Sequence, residues 1–258
     1  MEKFTVRLET HDGDTWELNG ERGVWLTEDG LDVTVSRSVQ GQKYAGAPGE
    51  FLGPGAVDYA AAAGTLRFIV DMDDPVECGR VWQEFLAVWE SGEEQRLVVR
   101  ADDGSERYIP VVLGDGGVAA PPRSPDWGRL LHLEVPVKSF RGLWWERGST
   151  STNKVTLRNN GVVNIWPKIV WEGEGGTVKL PSGASFKLPA VPGLRTVHLD
   201  PFESGVVTTA TGKVDPETWA MVREAVLFES VPPGEARSYT GPAGAHFEWE
   251  SGHLSPWR

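Results

Sequence analysis

The chain has 258 residues and a mass of 28.2 kDa, with 31 Gly, 18 Pro and a single Cys; that length excludes a stapled mini-protein and holds one large domain or two medium ones. The lone Cys78 excludes an intramolecular disulfide, while 24 % charged and 40 % apolar residues speak against both a disordered chain and a membrane protein. Residues 1–140 carry 13 Lys and Arg against 25 Asp and Glu, and residues 141–258 carry twelve of each, so the whole excess of −12 lies in the first part, where it repels phosphate and gives nucleic acid no specific foothold.

The first ten residues, MEKFTVRLET, lack the apolar core of a signal peptide, and AAAAGTLRFIV is too short and interrupted to span a bilayer. A chain without membrane insertion, folding in a reducing cytoplasm, is expected. Phe4, Val6 and Leu8 alternate with polar residues, as do Leu31, Val33 and Val35, which is the period of half-buried strands. Between them Asp12-Gly13, Asn19-Gly20 and Asp29-Gly30 read as tight turns. Residues 38–57, SVQGQKYAGAPGEFLGPGAV, show no periodicity and read as a long loop, of a length that in compact domains is usually functional or disordered.

Strand alternation resumes at Leu66, Phe68, Val70 and Met72. Asp74-Pro75-Val76-Glu77 then opens a helix over 75–90: Asp caps, Pro fits the first position, and Val81, Trp82, Phe85, Leu86 and Trp89 share one face until Ser91-Gly92. Strands follow at 96–100, 107–113 and 131–137. A boundary falls in the polar run near 139–153, giving domains 1–140 and 141–258. Beyond it, short strands are expected at 154–157, 162–165, 169–171, 177–180, 185–188, 195–199 and 206–209, the spacing of a sandwich or jelly roll. A second Asp-Pro opening, at Asp215-Pro216, starts a helix over 216–228 with Trp219, Val222 and Val226. The fold class is therefore mainly β, two β-sandwich-like domains with one helix each.

Chemistry is sparse. The five His are scattered and no Cys pair joins them. Asp71, Asp73 and Asp74 lack the glycine and closing Glu of a calcium loop. A β-sandwich glycoside hydrolase would need a carboxylate pair across a cleft, and Asp12, Asp14, Glu172 and Glu174 all sit in turn-like positions. No nucleophile elbow, phosphate loop or dinucleotide fingerprint is present, so no catalytic residue, cofactor or metal is expected. The unusual residue is Trp, 12 in all. Trp82, Trp89 and Trp219 fit helix core faces; Trp144, Trp145, Trp166 and Trp171 stay undecided; Trp249 and Trp257 would seal a sandwich edge or a subunit contact. Exposed Trp also leaves open a glycan- or receptor-binding module.

In order along the chain, the N-terminal strand meander, the Gly-rich segment at 38–57, DPVECGRVWQEFLAVWES with LVVRADDGSERYIPVVL, the strand LHLEVPV, NNGVVNIWPKIVWEGEGGTVKLPSGASFKLP and the ending VPPGEARSYTGPAGAHFEW resemble the distal tail proteins of long-tailed, non-contractile bacteriophages. The resemblance implies a ring-forming N-terminal domain and a galectin-like C-terminal β-sandwich, within a hexameric hub between tail tube and tail tip. DNA would pass through the ring without being specifically bound, and the protein would reside in the virion after assembly in the host cytoplasm. It also places at 38–57 an arm that embraces the next subunit, with Gln40, Lys43, Tyr44, Phe51 and Leu52 as its interface residues.

Overall fold

The structure, a computed structural model, describes residues 4–45, 48–51, 53, 56–119, 125 and 128–257. It is mainly β and divides into two units, one formed by residues 1–144 with 254–258 and the other by residues 145–253.

In the first unit, β1 (Phe4–Glu9) lies between β2 (Thr15–Glu17) and β7 (Gln95–Ala101), and β7 continues to β8 (Glu106–Leu113). On the other side β3 (Val24–Thr34), β6 (Ala62–Asp71) and β9 (Leu130–Ser139) pair in that order. All pairings are antiparallel. The two sets are joined at both corners, where Val112 and Leu113 pair with Lys138 and Val137, and where residues 18–26 bond Leu26 N to Leu18 O and Gly20 N to Val24 O. Two strands, β4 (Arg37–Val39) and β5 (Val57–Tyr59), form a separate hairpin.

Helix α1 (Pro75–Glu90) begins where the sequence predicts, with the Asp74 carboxylate accepting from Glu77 N. Its apolar face buries Cys78, Val81, Trp82, Phe85 and Trp89 in the first core, with Leu8, Phe68, Leu97, Ile109 and Val135 from the strands. Phe85 lies edge-on to Trp16 at 5.0 Å and to Phe68 at 4.9 Å, geometry that adds to simple burial. The expected turn at Asp29-Gly30 is instead a bulge inside β3: the register with β6 shifts between Leu26 and Leu31, and Arg67 Nη1 donates to Asp29 O. A partner for that carbonyl within the sheet removes the need to reverse the chain.

The second unit is a two-sheet sandwich. One sheet runs β16 (Val207–Thr209), β15 (Val191–His198), β12 (Lys168–Gly173), β18 (His246–His253), β10 (Trp144–Ser149); the other runs β11 (Lys154–Arg158), β17 (Ala236–Thr240), β13 (Gly176–Lys179), β14 (Ser185–Leu188). Ile169, Trp171, Val197 and Phe247 of the first sheet share a core with Leu157, Val178, Phe186 and Tyr239 of the second.

Two expectations fail here. Residues 162–165 are not a strand. Asn159, fully buried, donates through Nδ2 to Val163 O and Val231 O at 2.7 Å and accepts from Gly161 N, and only Ile165 bridges to Val231. A side chain thus takes the hydrogen bonds a ladder would use. Helix α2 (Pro216–Val222) stops six residues before the expected end at 228. The chain beyond it is claimed elsewhere: Tyr239 Oη donates to Glu229 O, Arg237 to Ser230 O and Ile165 N to Val231 O.

Candidate functional site

Where the sequence shows no periodicity and reads as a long loop, the backbone forms a β-hairpin. Arg37, Ser38 and Val39 pair with Tyr59, Asp58 and Val57; Gln40 N donates to Ala56 O, and Gln42 and Phe51 exchange both main-chain bonds at 2.9 Å. Main-chain pairing needs no alternation of side chains, so the missing period said nothing against it. Gln40, Lys43, Tyr44 and Phe51 all lie on this hairpin, while Leu52 falls outside the described residues.

Three of the hairpin's apolar side chains face outward. Val39 is 51 %, Tyr44 58 % and Phe51 49 % exposed, and the Tyr44 and Phe51 rings meet at 5.5 Å across the two limbs. Polar groups complete the surface: Tyr44 Oη donates to Gln42 Oε1, and Lys43 Nζ lies 3.9 Å from Glu50 Oε1. A lone two-stranded hairpin is at best marginally stable in water. On this hairpin the aromatic pair stands largely in solvent. Val39, the last residue of β4 and paired with Val57, is exposed beside them and was not singled out from the sequence.

The alternative chemistries find little here. Among the described residues no group of three or more His, Cys, Asp or Glu side chains is placed to hold a metal, and no helix is long and apolar enough to cross a membrane. A general acid needs a raised pKa. Asp12 is held below the usual carboxylate range by the Thr10 hydroxyl and backbone amides, and Asp14 by Arg22. A cleft of about 530 Å³ in the first unit, bordered by Trp25, Asp73, Glu77 and Glu84, has its Glu77 likewise lowered by Arg80.

The Trp surplus divides clearly. Trp16, Trp82, Trp89, Trp144 and Trp171 are buried, and Trp219 and Trp249 pack half-buried against the second core. Trp25 and Trp249 each cover a glycine: a Cβ on Gly20 would fall 1.9 Å from the Trp25 ring, and one on Gly148 would fall 2.2 Å from the Trp249 ring. Both rings spend a face on the protein itself. Trp249 lies on β18, between β12 and β10, in the interior of its sheet and not at its edge. Trp257 meets Phe4 edge-on at 4.9 Å, and Arg107 donates to the Ser255 and Trp257 carbonyls.

No family model matches the chain, and no curated protein matches its sequence. Solved structures do. The Dit protein of phage SPP1, titled a paradigm of hub adsorption apparatus in phages infecting Gram-positive bacteria, matches with a TM-score of 0.55 over 98 % of this chain and 100 % of its own, at 13 % identity. The fold is that of phage hub and baseplate proteins. Chains of the phage P2 baseplate in its activated conformation, with Ca and with Sr, match with TM-scores of 0.57 and 0.56 over 97 % of this chain and 98 % of theirs, each at 8 % identity.

Proposed function

We propose that this protein is a structural, non-enzymatic component of a phage tail tip: a distal tail protein of a long-tailed, non-contractile phage, forming a hexameric ring that joins tail tube to adsorption apparatus. The observation that carries the reading is the hairpin at 37–59 with its outward aromatic pair, on a fold shared end to end with hub and baseplate chains. Such an arm makes a head-to-tail contact, and a head-to-tail contact closes into a ring when its rotation divides a full turn. In this reading, Gln40, Lys43, Tyr44, Phe51 and Leu52 lie against the adjacent subunit, the C-terminal sandwich is the galectin-like domain, and the neighbours are the tail tube protein and tip proteins. The acidic excess of residues 1–140 then faces the channel and keeps passing DNA from adhering.

Light scattering on the purified protein tests this. The parent should reach the mass of six 28.2 kDa chains, and replacing residues 40–56 by a short Gly-Ser turn should leave a folded protein that self-associates more weakly. A shortened chain that assembles as well as the parent would refute the arm.

A further inference from the structure

A second surface stands out in the C-terminal unit. Between β15 and β16 the chain turns through Asp200-Pro201-Phe202-Glu203-Ser204, and Phe202 at its crest is 92 % exposed. The turn is bonded at nearly every step: Phe202 N donates to the Asp200 carboxylate at 2.9 Å, Glu203 N to Asp200 O, Ser204 N to Pro201 O and Val206 N to Glu203 O. Ser204 adopts a left-handed conformation with φ 50°, and its carbonyl accepts from Trp219 Nε1 at 3.2 Å. The Phe228 ring lies beside Gly205, the residue after the turn. Three aromatic rings therefore border a rigid turn, one of them almost wholly in water.

A phenyl ring has no polar tip to satisfy in solvent, and holding it on a preorganised backbone removes the ordering cost that normally weakens binding. Its immediate rim is acidic. Asp200 and Glu203 lie in the turn itself. His198, on the strand before the turn, has Asp200, Glu203 and Glu248 as charged neighbours against Lys168, so the balance of charge there is negative. Two copies of this face would bring like charges together, which disfavours self-contact.

We infer that Phe202 is the anchor by which the second unit docks a different tail protein, one offering an apolar pocket rimmed by Lys or Arg. The inference rests on the tail-tip reading, and it adds a partner contact that the arm does not supply. Phe202→benzoylphenylalanine, a photoreactive side chain, in phage particles tests it. Mass spectrometry of purified particles first shows whether the chain is present, and irradiation then shows what residue 202 touches. A crosslink to another tail protein, at a peptide carrying Lys or Arg beside apolar residues, is expected. A crosslink to a second copy of this chain, to an acidic peptide, or to nothing overturns the docking surface while leaving the tail-tip reading intact; absence from particles overturns both. With the crosslinked protein purified, Phe202→Ser should weaken binding about thirtyfold, the loss typical of a removed anchor. Glu203→Lys should reduce its salt dependence. The melting temperature of Phe202→Ser should match the parent, since the ring packs on so little, and a variant that melts like the parent and binds like it sinks the anchor.

Discussion

Helices α1 and α2 open with the same chemistry and end quite differently. Asp74-Pro75 and Asp215-Pro216 each cap their helix through the carboxylate and set its first position with proline, yet α1 runs 16 residues and α2 only 7. The start of a helix is a local matter, decided by orphan amides and a nearby oxygen. Its end is decided by what the following residues pack against. In α1 every turn supplies an apolar side chain to the first core; after Val222 the chain is drawn off to hydrogen bonds with Ile165, Arg237 and Tyr239.

That contrast can be broken from either side. Phe85→Ala should have the largest effect, about 3–5 kcal/mol by denaturant unfolding, because it empties the point where α1 meets Trp16 and Phe68. Loss under 1 kcal/mol would mean that the aromatic face does not hold the helix. Asn159→Ala should cost about 3 kcal/mol, since it strands two carbonyls and an amide in a buried site next to the segment that follows α2. Hydrogen exchange should then rise at Val231 while α1 stays protected, and equal loosening of both helices would refute the local pin.

The two caps come next. Asp215 also accepts from the Thr218 hydroxyl and pairs with Arg195, whose hydrogen bond is the chief reason its pKa falls to about 2. The folded pKa lies below the ordinary value of 3.8, so the stability this carboxylate contributes is present above about pH 4 and is lost as pH falls through about 2. Asp215→Asn should flatten that acid limb in a pH series of melting curves; an unchanged limb would reject the assignment. Asp74→Ala removes a cap without such a pair and should cost about 1 kcal/mol. A larger loss than for Asp215→Ala would reverse the comparison.

Much of the framework was legible. The strand at Phe4–Glu9, the helix at 75–90 and the strands near 96, 107 and 131 follow from periodicity and capping, which depend on near neighbours alone. Strands β10, β17 and β18 were not anticipated: WWERGS and HFEWESGH interrupt their alternation with charge and glycine, and only their neighbours in the sheet satisfy them. The segment at 38–57 was legible as a place, while the pairing within it was not. Tyr44 and Phe51 are visible as apolar residues in a Gly-rich stretch, whereas their pairing across the hairpin is a contact between residues seven apart.

By itself, then, the sequence determined the β-rich class, the charge division and the helix starts, because each depends on composition or on interactions a few residues long. Tertiary structure alone decided where α2 stops, why 162–165 is not a strand, which residues pair between 37–39 and 57–59, and that Phe202 stands in water while Trp171 does not. Those outcomes turn on competition between distant partners for the same backbone groups and the same buried volume, and no local pattern records which partner wins.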